Sequence, residues 1–132
     1  MSRATVCDQV WMDGRWCSLR EATVSVATHT LHYGVGVFEG VRAYAGRGGT
    51  ALFRLPEHTR RLFDSAHILQ LDMPFDRATL QAVQCEAVAR SGLDEAYIRP
   101  LVWLGGGMLG IDPAGCSVHV AVLAMGMGRY LG

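Results

Sequence analysis

The apolar positions form short alternating runs near the N-terminus, a helical repeat in the middle and two longer runs towards the end. Val10-Trp11-Met12 and Arg15-Trp16-Cys17 flank Asp13-Gly14. A two-residue Asp-Gly loop between apolar-rich runs predicts a hairpin closed by a type I′ turn. Residues 37–44 and 50–55 predict two further strands, joined by a glycine-rich turn at 45–49. Pro56 suits the first position of a helix, and Leu62, Ala66 and Leu69 then repeat with helical spacing to about Gln70. Asp76 is placed to N-cap a second helix whose Leu80, Val83 and Ala87 share a face, with Gly92 as its left-handed C-cap. Residues 96–104 alternate Tyr97, Arg99, Leu101 and Trp103 with Ile98, Pro100, Val102 and Leu104, and the proline predicts a sheet edge or a bulge. Residues 118–125 are apolar on both faces, as in a central strand. Hairpins, two main helices and then strands predict an α+β fold around a mostly antiparallel sheet.

Length is consistent with one domain: 132 residues, of which 1–125 carry the pattern and the glycine-rich 126–132 read as the start of a linker between domains. The 12 basic residues balance 12 acidic ones, so no net field draws the chain to nucleic acid or an anionic membrane. All 12 basic residues are arginine, which removes every side-chain amine able to condense with an aldehyde. Cys7, Cys17, Cys85 and Cys116 lie far apart, no charged-then-apolar leader opens the chain, and no apolar run approaches the ~18 residues of a membrane span. A soluble, reduced, cytoplasmic setting follows as the expectation.

Three clusters place polar groups among apolar ones: residues 29–34, 38–42 and 97–100. Tyr97 and Arg99, two apart on a strand, point to one face, where a hydroxyl and a guanidinium can hold a carboxylate; a solvated arginine beside a half-buried tyrosine is the plainer alternative. His29, His32 and Glu39 suggest a metal set, but no further ligand has suitable spacing. Gly34, Gly36 and Gly40 do not have the dinucleotide-loop spacing, and Gly105-Gly106-Gly107 reads as a mobile loop. Arg60 and Arg61 share a helical turn with Glu57 and Asp64, so they form either a solvated charged face or, with nearby amides, a phosphate site.

At these clusters the chain resembles the branched-chain aminotransferases, in the fold-type IV group of pyridoxal-phosphate enzymes. The stretches that carry the likeness are HTLHYGVGVFEGVRAY, LFRLPEHTRRLFDSA, AYIRPLVWLGGGMLGIDPAG and GRYLG, covering most of the chain in the family's order. D-amino-acid aminotransferases and aminodeoxychorismate lyases share that fold but differ around VFEGVR. The resemblance implies the small N-terminal domain of such an enzyme and a pyridoxal 5′-phosphate cofactor. Its substrates would be leucine, isoleucine or valine with 2-oxoglutarate. It assigns Arg61 to the cofactor phosphate, and Phe38, Gly40, Tyr97 and Arg99 to the substrate pocket, with Arg42 nearby. It also implies a homo-oligomer in which Tyr33 and Ile111 reach a neighbouring subunit's pocket. The lysine that holds the cofactor in the family belongs to a C-terminal domain absent here, so no catalytic residue is assigned to this chain and the domain alone is expected to be inactive. A non-catalytic binding or assembly domain is the contrasting reading. An apolar surface facing the missing domain is expected around Tyr33, Phe38, Trp103, Met108, Leu109, Ile111 and Tyr130.

Overall fold

The computed structural model describes residues 4–107 and 109–127. They build one seven-stranded antiparallel sheet with three helices. Strands β1 (Thr5–Met12) and β2 (Arg15–Ser18) make the predicted hairpin, and Asp13 at φ 50° and Gly14 at φ 94° take the left-handed conformations a type I′ turn requires. The Asp13 carboxylate fastens this turn to the other end of the chain: it accepts the Val120 amide at 2.9 Å and lies 2.6 Å from His119 Nδ1.

The strand expected over 37–44 is divided into β3 (Gly36–Phe38) and β4 (Val41–Gly46). Both pair with β6 (Ala96–Leu104) in one continuous register, Phe38 opposite Leu101 and Val41 opposite Ile98. The interruption at Glu39 and Gly40 follows from Pro100. Glu39 donates its amide to the Pro100 carbonyl at 3.0 Å, and proline has no N–H to return the bond. The proline therefore marks neither an edge nor a bulge: β6 is central, flanked by β7 (Val118–Gly126) and by β3 and β4, and Pro100 is buried within it. Strand β5 (Gly49–Leu52) ends before Leu55, because Arg54 turns left-handed at φ 55° and Leu55 already opens a helix.

That helix, α2 (Leu55–Ile68), follows α1 (His29–Tyr33), a short turn of helix that periodicity does not announce. Helix α2 stops two residues before Gln70, which is left-handed at φ 57°; Leu69 is exposed, and the buried stripe is Thr59, Leu62 and Ala66. Helix α3 (Arg77–Ser91) matches its signals: Asp76 accepts the Thr79 amide at 2.7 Å, and Gly92 caps the end at φ 66°.

The sheet runs β2-β1-β7-β6-β4-β5, with β3 also on β6. Helices α2 and α3 cover one face, where Leu62, Leu80, Val41, Ile98, Val102, Val120 and Val122 are fully buried. Gln84 links the two helices inside this layer, its amide nitrogen donating to Thr59 Oγ1 at 3.1 Å and to the Leu80 carbonyl at 3.0 Å. On the opposite face α1 is pinned to the end of β6, since Thr30 Oγ1 accepts the Leu104 amide at 2.9 Å. An apolar groove there runs between Val10, Met12, Leu31, Leu101 and Leu123.

Of the apolar set expected at the surface, Tyr33, Phe38, Leu109 and Ile111 are exposed, and Met108 and Tyr130 lie outside the described residues. Trp103 is not exposed: it is 6% accessible, covered by the stacked ring of His119 at 5.5 Å between centroids. No helix among the described residues is long and apolar enough to cross a membrane.

Candidate functional site

Two side-chain assemblies grow from the interrupted strand pair, one on each face of the sheet. The alternation of an extended chain sends Phe38, Gly40 and Arg42 to the open face, with Tyr97 and Arg99 of β6 beside them; Arg42 is directly opposite Tyr97. The Arg99 guanidinium lies 4.2 Å from the Phe38 ring centroid and 5.4 Å from that of Tyr97, and its Nη2 donates to Tyr97 Oη at 3.1 Å. Gly40 makes this possible, because a Cβ there would stand 1.9 Å from Tyr97 Oη. Arg42, Tyr97 and Arg99 line an open depression with Met125 and Met127. Arg99 Nε is buried without a partner among the described residues, and of its other donors Nη2 is bonded to Tyr97 Oη. Two arginines, a phenol and an aromatic wall suit a ligand with a carboxylate at one end and an apolar or second acidic group at the other.

On the helix face the same stretch presents Glu39, only 5% accessible. Its Oε1 accepts from Arg61 Nε, its Oε2 accepts from Arg61 Nη2 at 2.9 Å, and His58 Nδ1 lies 2.9 Å from the same oxygen. Burial pushes the Glu39 carboxyl up, but the hydrogen bonds from Arg61 and His58, the guanidinium charge and the Gly40 amide together hold it below the usual carboxylate value. Arg61 is raised in turn by its bonds to Glu39. It remains 67% accessible, at a depression it shares with Arg54, His58 and Arg60 and with the carboxylates of Glu57 and Asp64, the first of which pairs with Arg54. Three arginines outnumber the two carboxylates at this depression, so the residues present are compatible with the phosphate end of pyridoxal phosphate.

Arg61 and Glu39 both stand out in the sequence, but the bond between them does not. The signal was available: Glu39 occupies an inward position between Val37 and Val41, and an inward carboxylate needs a cation, which His58 and Arg61, three apart on one helix face, supply. The imagined grouping of His29, His32 and Glu39 is not formed. His29 packs on Tyr33 at 4.7 Å and His32 Nε2 contacts the Val26 carbonyl at 2.7 Å. Among the described residues no group of three or more metal-ligating side chains is assembled. Tyr33 in α1 and Ile111 in the loop after β6 are both exposed, Ile111 at 84%, and neither lines the depression of Tyr97 and Arg99.

A family model for amino-transferase class IV matches residues 36–130, which include both assemblies. The chain belongs to the class IV aminotransferases. It is 48% identical over all 132 residues to a branched-chain-amino-acid aminotransferase of Pseudomonas aeruginosa, and spans 43% of that protein's length. Among solved structures, the branched-chain amino acid aminotransferase of Escherichia coli superimposes with a TM-score of 0.90 at 38% identity, over 96% of this chain and 42% of that one. A second solved branched-chain amino acid aminotransferase, complexed with N-(5′-phosphopyridoxyl)-L-glutamate, gives 0.89 at 41% identity, over 99% of this chain and 43% of that one. The enzyme of the archaeon Thermoproteus uzoniensis, with norvaline, gives 0.88 at 38% identity, over 96% of this chain and 43% of that one. The chain thus spans less than half the length of these class IV relatives.

Proposed function

We propose that this chain is the substrate-side domain of a branched-chain aminotransferase. It would act with pyridoxal phosphate held by a second domain and move an amino group between leucine, isoleucine or valine and 2-oxoglutarate. The observation that carries this reading is the joint placement of Phe38, Gly40, Arg42, Tyr97 and Arg99 on one open face. Bound pyridoxal phosphate supplies an electron-withdrawing ring that lets an amino group be exchanged for a carbonyl oxygen.

The residues of this chain bind and orient. Tyr97 Oη and the Arg99 guanidinium hold a substrate carboxylate, while the Phe38 ring offers an apolar wall to a branched side chain. The same arginine serves the second carboxylate of glutamate, so one pocket accepts an acidic and an apolar partner in turn. Arg61 takes the cofactor phosphate. Tyr33 and Ile111, both exposed, are left to a neighbouring subunit's pocket.

The test joins this chain to the C-terminal part of the Pseudomonas aeruginosa relative and assays amino transfer from each branched-chain amino acid to 2-oxoglutarate. Turnover of leucine, isoleucine or valine is expected. Turnover of D-alanine alone, or cofactor loading without transfer to any of these substrates, would overturn the reading.

A further inference from the structure

We propose that Glu39 is a positioning residue for Arg61: its carboxylate grips one edge of the guanidinium and presents the other edge to a phosphate. This inference rests on the reading that Arg61 holds the cofactor phosphate.

An arginine already paired with a buried carboxylate looks neutralised, but the geometry says otherwise. A guanidinium carries five N–H donors in a rigid plane. Glu39 takes the Nε edge and one hydrogen of Nη2, a side-on grip, so about three donors on the Nη edge stay free. Those donors belong to a side chain that is 67% accessible, while the carboxylate holding it is 5% accessible. The grip is itself anchored, because His58 Nδ1 fastens Oε2 from one helical turn earlier and the Glu39 amide is bonded to Pro100. Arg61 is therefore ordered before a ligand arrives, which spares the entropy of freezing a long side chain at binding. Glu39 adds no separate ordering cost, being fixed by the strand interruption at its own position.

Two effects of Glu39 on an anion oppose each other, and their signs separate the possibilities. A nearby negative charge repels phosphate, so removing it should tighten binding if charge alone mattered. Loss of the grip frees Arg61 and should weaken binding if positioning dominates.

The experiment uses the 132-residue chain, titrated with inorganic phosphate and with pyridoxal 5′-phosphate while the Arg61 Nε–H resonance is followed by nitrogen-15 NMR. In the unsubstituted chain that proton should exchange slowly with water and shift on titration. Glu39→Gln should speed its exchange and weaken phosphate binding by about 2- to 10-fold, the scale of ordering one long side chain. Glu39→Asp keeps the charge but shortens the reach, and should weaken binding as well; it decides the matter if Glu39→Gln does not fold. Binding that is unchanged or tighter in the folded variants overturns the positioning role while leaving Arg61 as the phosphate ligand. No response to either ligand in the unsubstituted chain, or a response that survives Arg61→Lys undiminished, removes the Arg61 assignment itself.

Discussion

The two faces of the sheet are made from the same strands, yet they obey different rules. On β6, Ile98, Pro100, Val102 and Leu104 turn to the helices and are buried, whereas Tyr97, Arg99 and Leu101 on the other side stay partly open. The helix face is closed by apolar matching, so its residues answer to volume and shape. The open face gathers a guanidinium, a phenol and an aromatic ring that partner one another, so its residues answer to charge and direction. Stability should therefore reside in the first and substrate recognition in the second, with the Glu39–Arg61 pair the charged exception on the helix face.

The largest expected effect tests the closed face. Leu80 is fully buried, and Leu80→Ala should destabilise the chain by about 2–5 kcal/mol through lost burial and the cavity left behind. Leu31→Ala, at an exposed position on the other side, should change stability by less than about 0.5 kcal/mol. Urea unfolding of the two variants measures the contrast; similar losses would mean that the open face is as tightly packed as the closed one.

Next in size is a change in recognition with little change in stability. With the second domain joined, Arg99→Ala should lower kcat/KM for glutamate and 2-oxoglutarate about 10- to 150-fold more than for leucine, because a charged hydrogen bond to the second carboxylate contributes about 1.5–3 kcal/mol. Equal losses for the acidic and the apolar substrate would show that Arg99 holds only the carboxylate the two share.

Which face a residue joins was legible where period and chemistry agreed. The alternation of residues 96–104, the Asp13-Gly14 turn and the capped α3 helix follow from local signals that the packing reinforces. The break at Glu39 was not legible, because it depends on Pro100, 61 positions along the chain, meeting Glu39 across the ladder. Trp103 looked like open pocket surface until His119, from the next strand, stacked over it. The end of α2 was misplaced because Leu69 continues the apolar period while Gln70 has already left the helix. The open-face cluster was nameable from its motifs. The pairing of Glu39 with Arg61 required knowing that α2 passes over the inward side of that strand.

Glu39 is the buried carboxylate of the helix face, and acid should reveal its contribution. Its folded carboxyl lies below the usual carboxylate value, so its contribution to stability is present above the unfolded value and is lost as pH falls through the folded one. One such group changes unfolding free energy by at most about 1.4 kcal/mol per pH unit. Asp76 is shifted the same way, by its bonds to Thr79, so the informative quantity is the difference between variants. Glu39→Gln should flatten the loss of stability between neutral and acid pH relative to the unsubstituted chain, as read from melting curves across that range. An identical slope would place the titrating carboxylates elsewhere.

A small change in stability is also expected at Gly40, where the two faces can be compared by adding a single methyl group. A Cβ there would meet Tyr97 Oη at 1.9 Å and Cζ at 2.5 Å, distances that no packed structure tolerates. The atoms in the way are the far end of a side chain on the open face, and no positive φ at Gly40 strains an alanine backbone. The phenol can therefore swing aside, and Gly40→Ala should reduce stability by less than about 1 kcal/mol, where overpacking a closed core costs about 1–3 kcal/mol. Recognition should suffer more than stability, because the swing removes the 3.1 Å bond between Tyr97 and Arg99 and changes the wall shared by Phe38 and Arg99. NMR of the Tyr97 ring together with urea unfolding separates the two effects. A shifted ring with a nearly unchanged midpoint is the expected result; an unmoved ring with a loss above about 2 kcal/mol would mean that the backbone gives way, and that the open face is as rigid as the core beneath it.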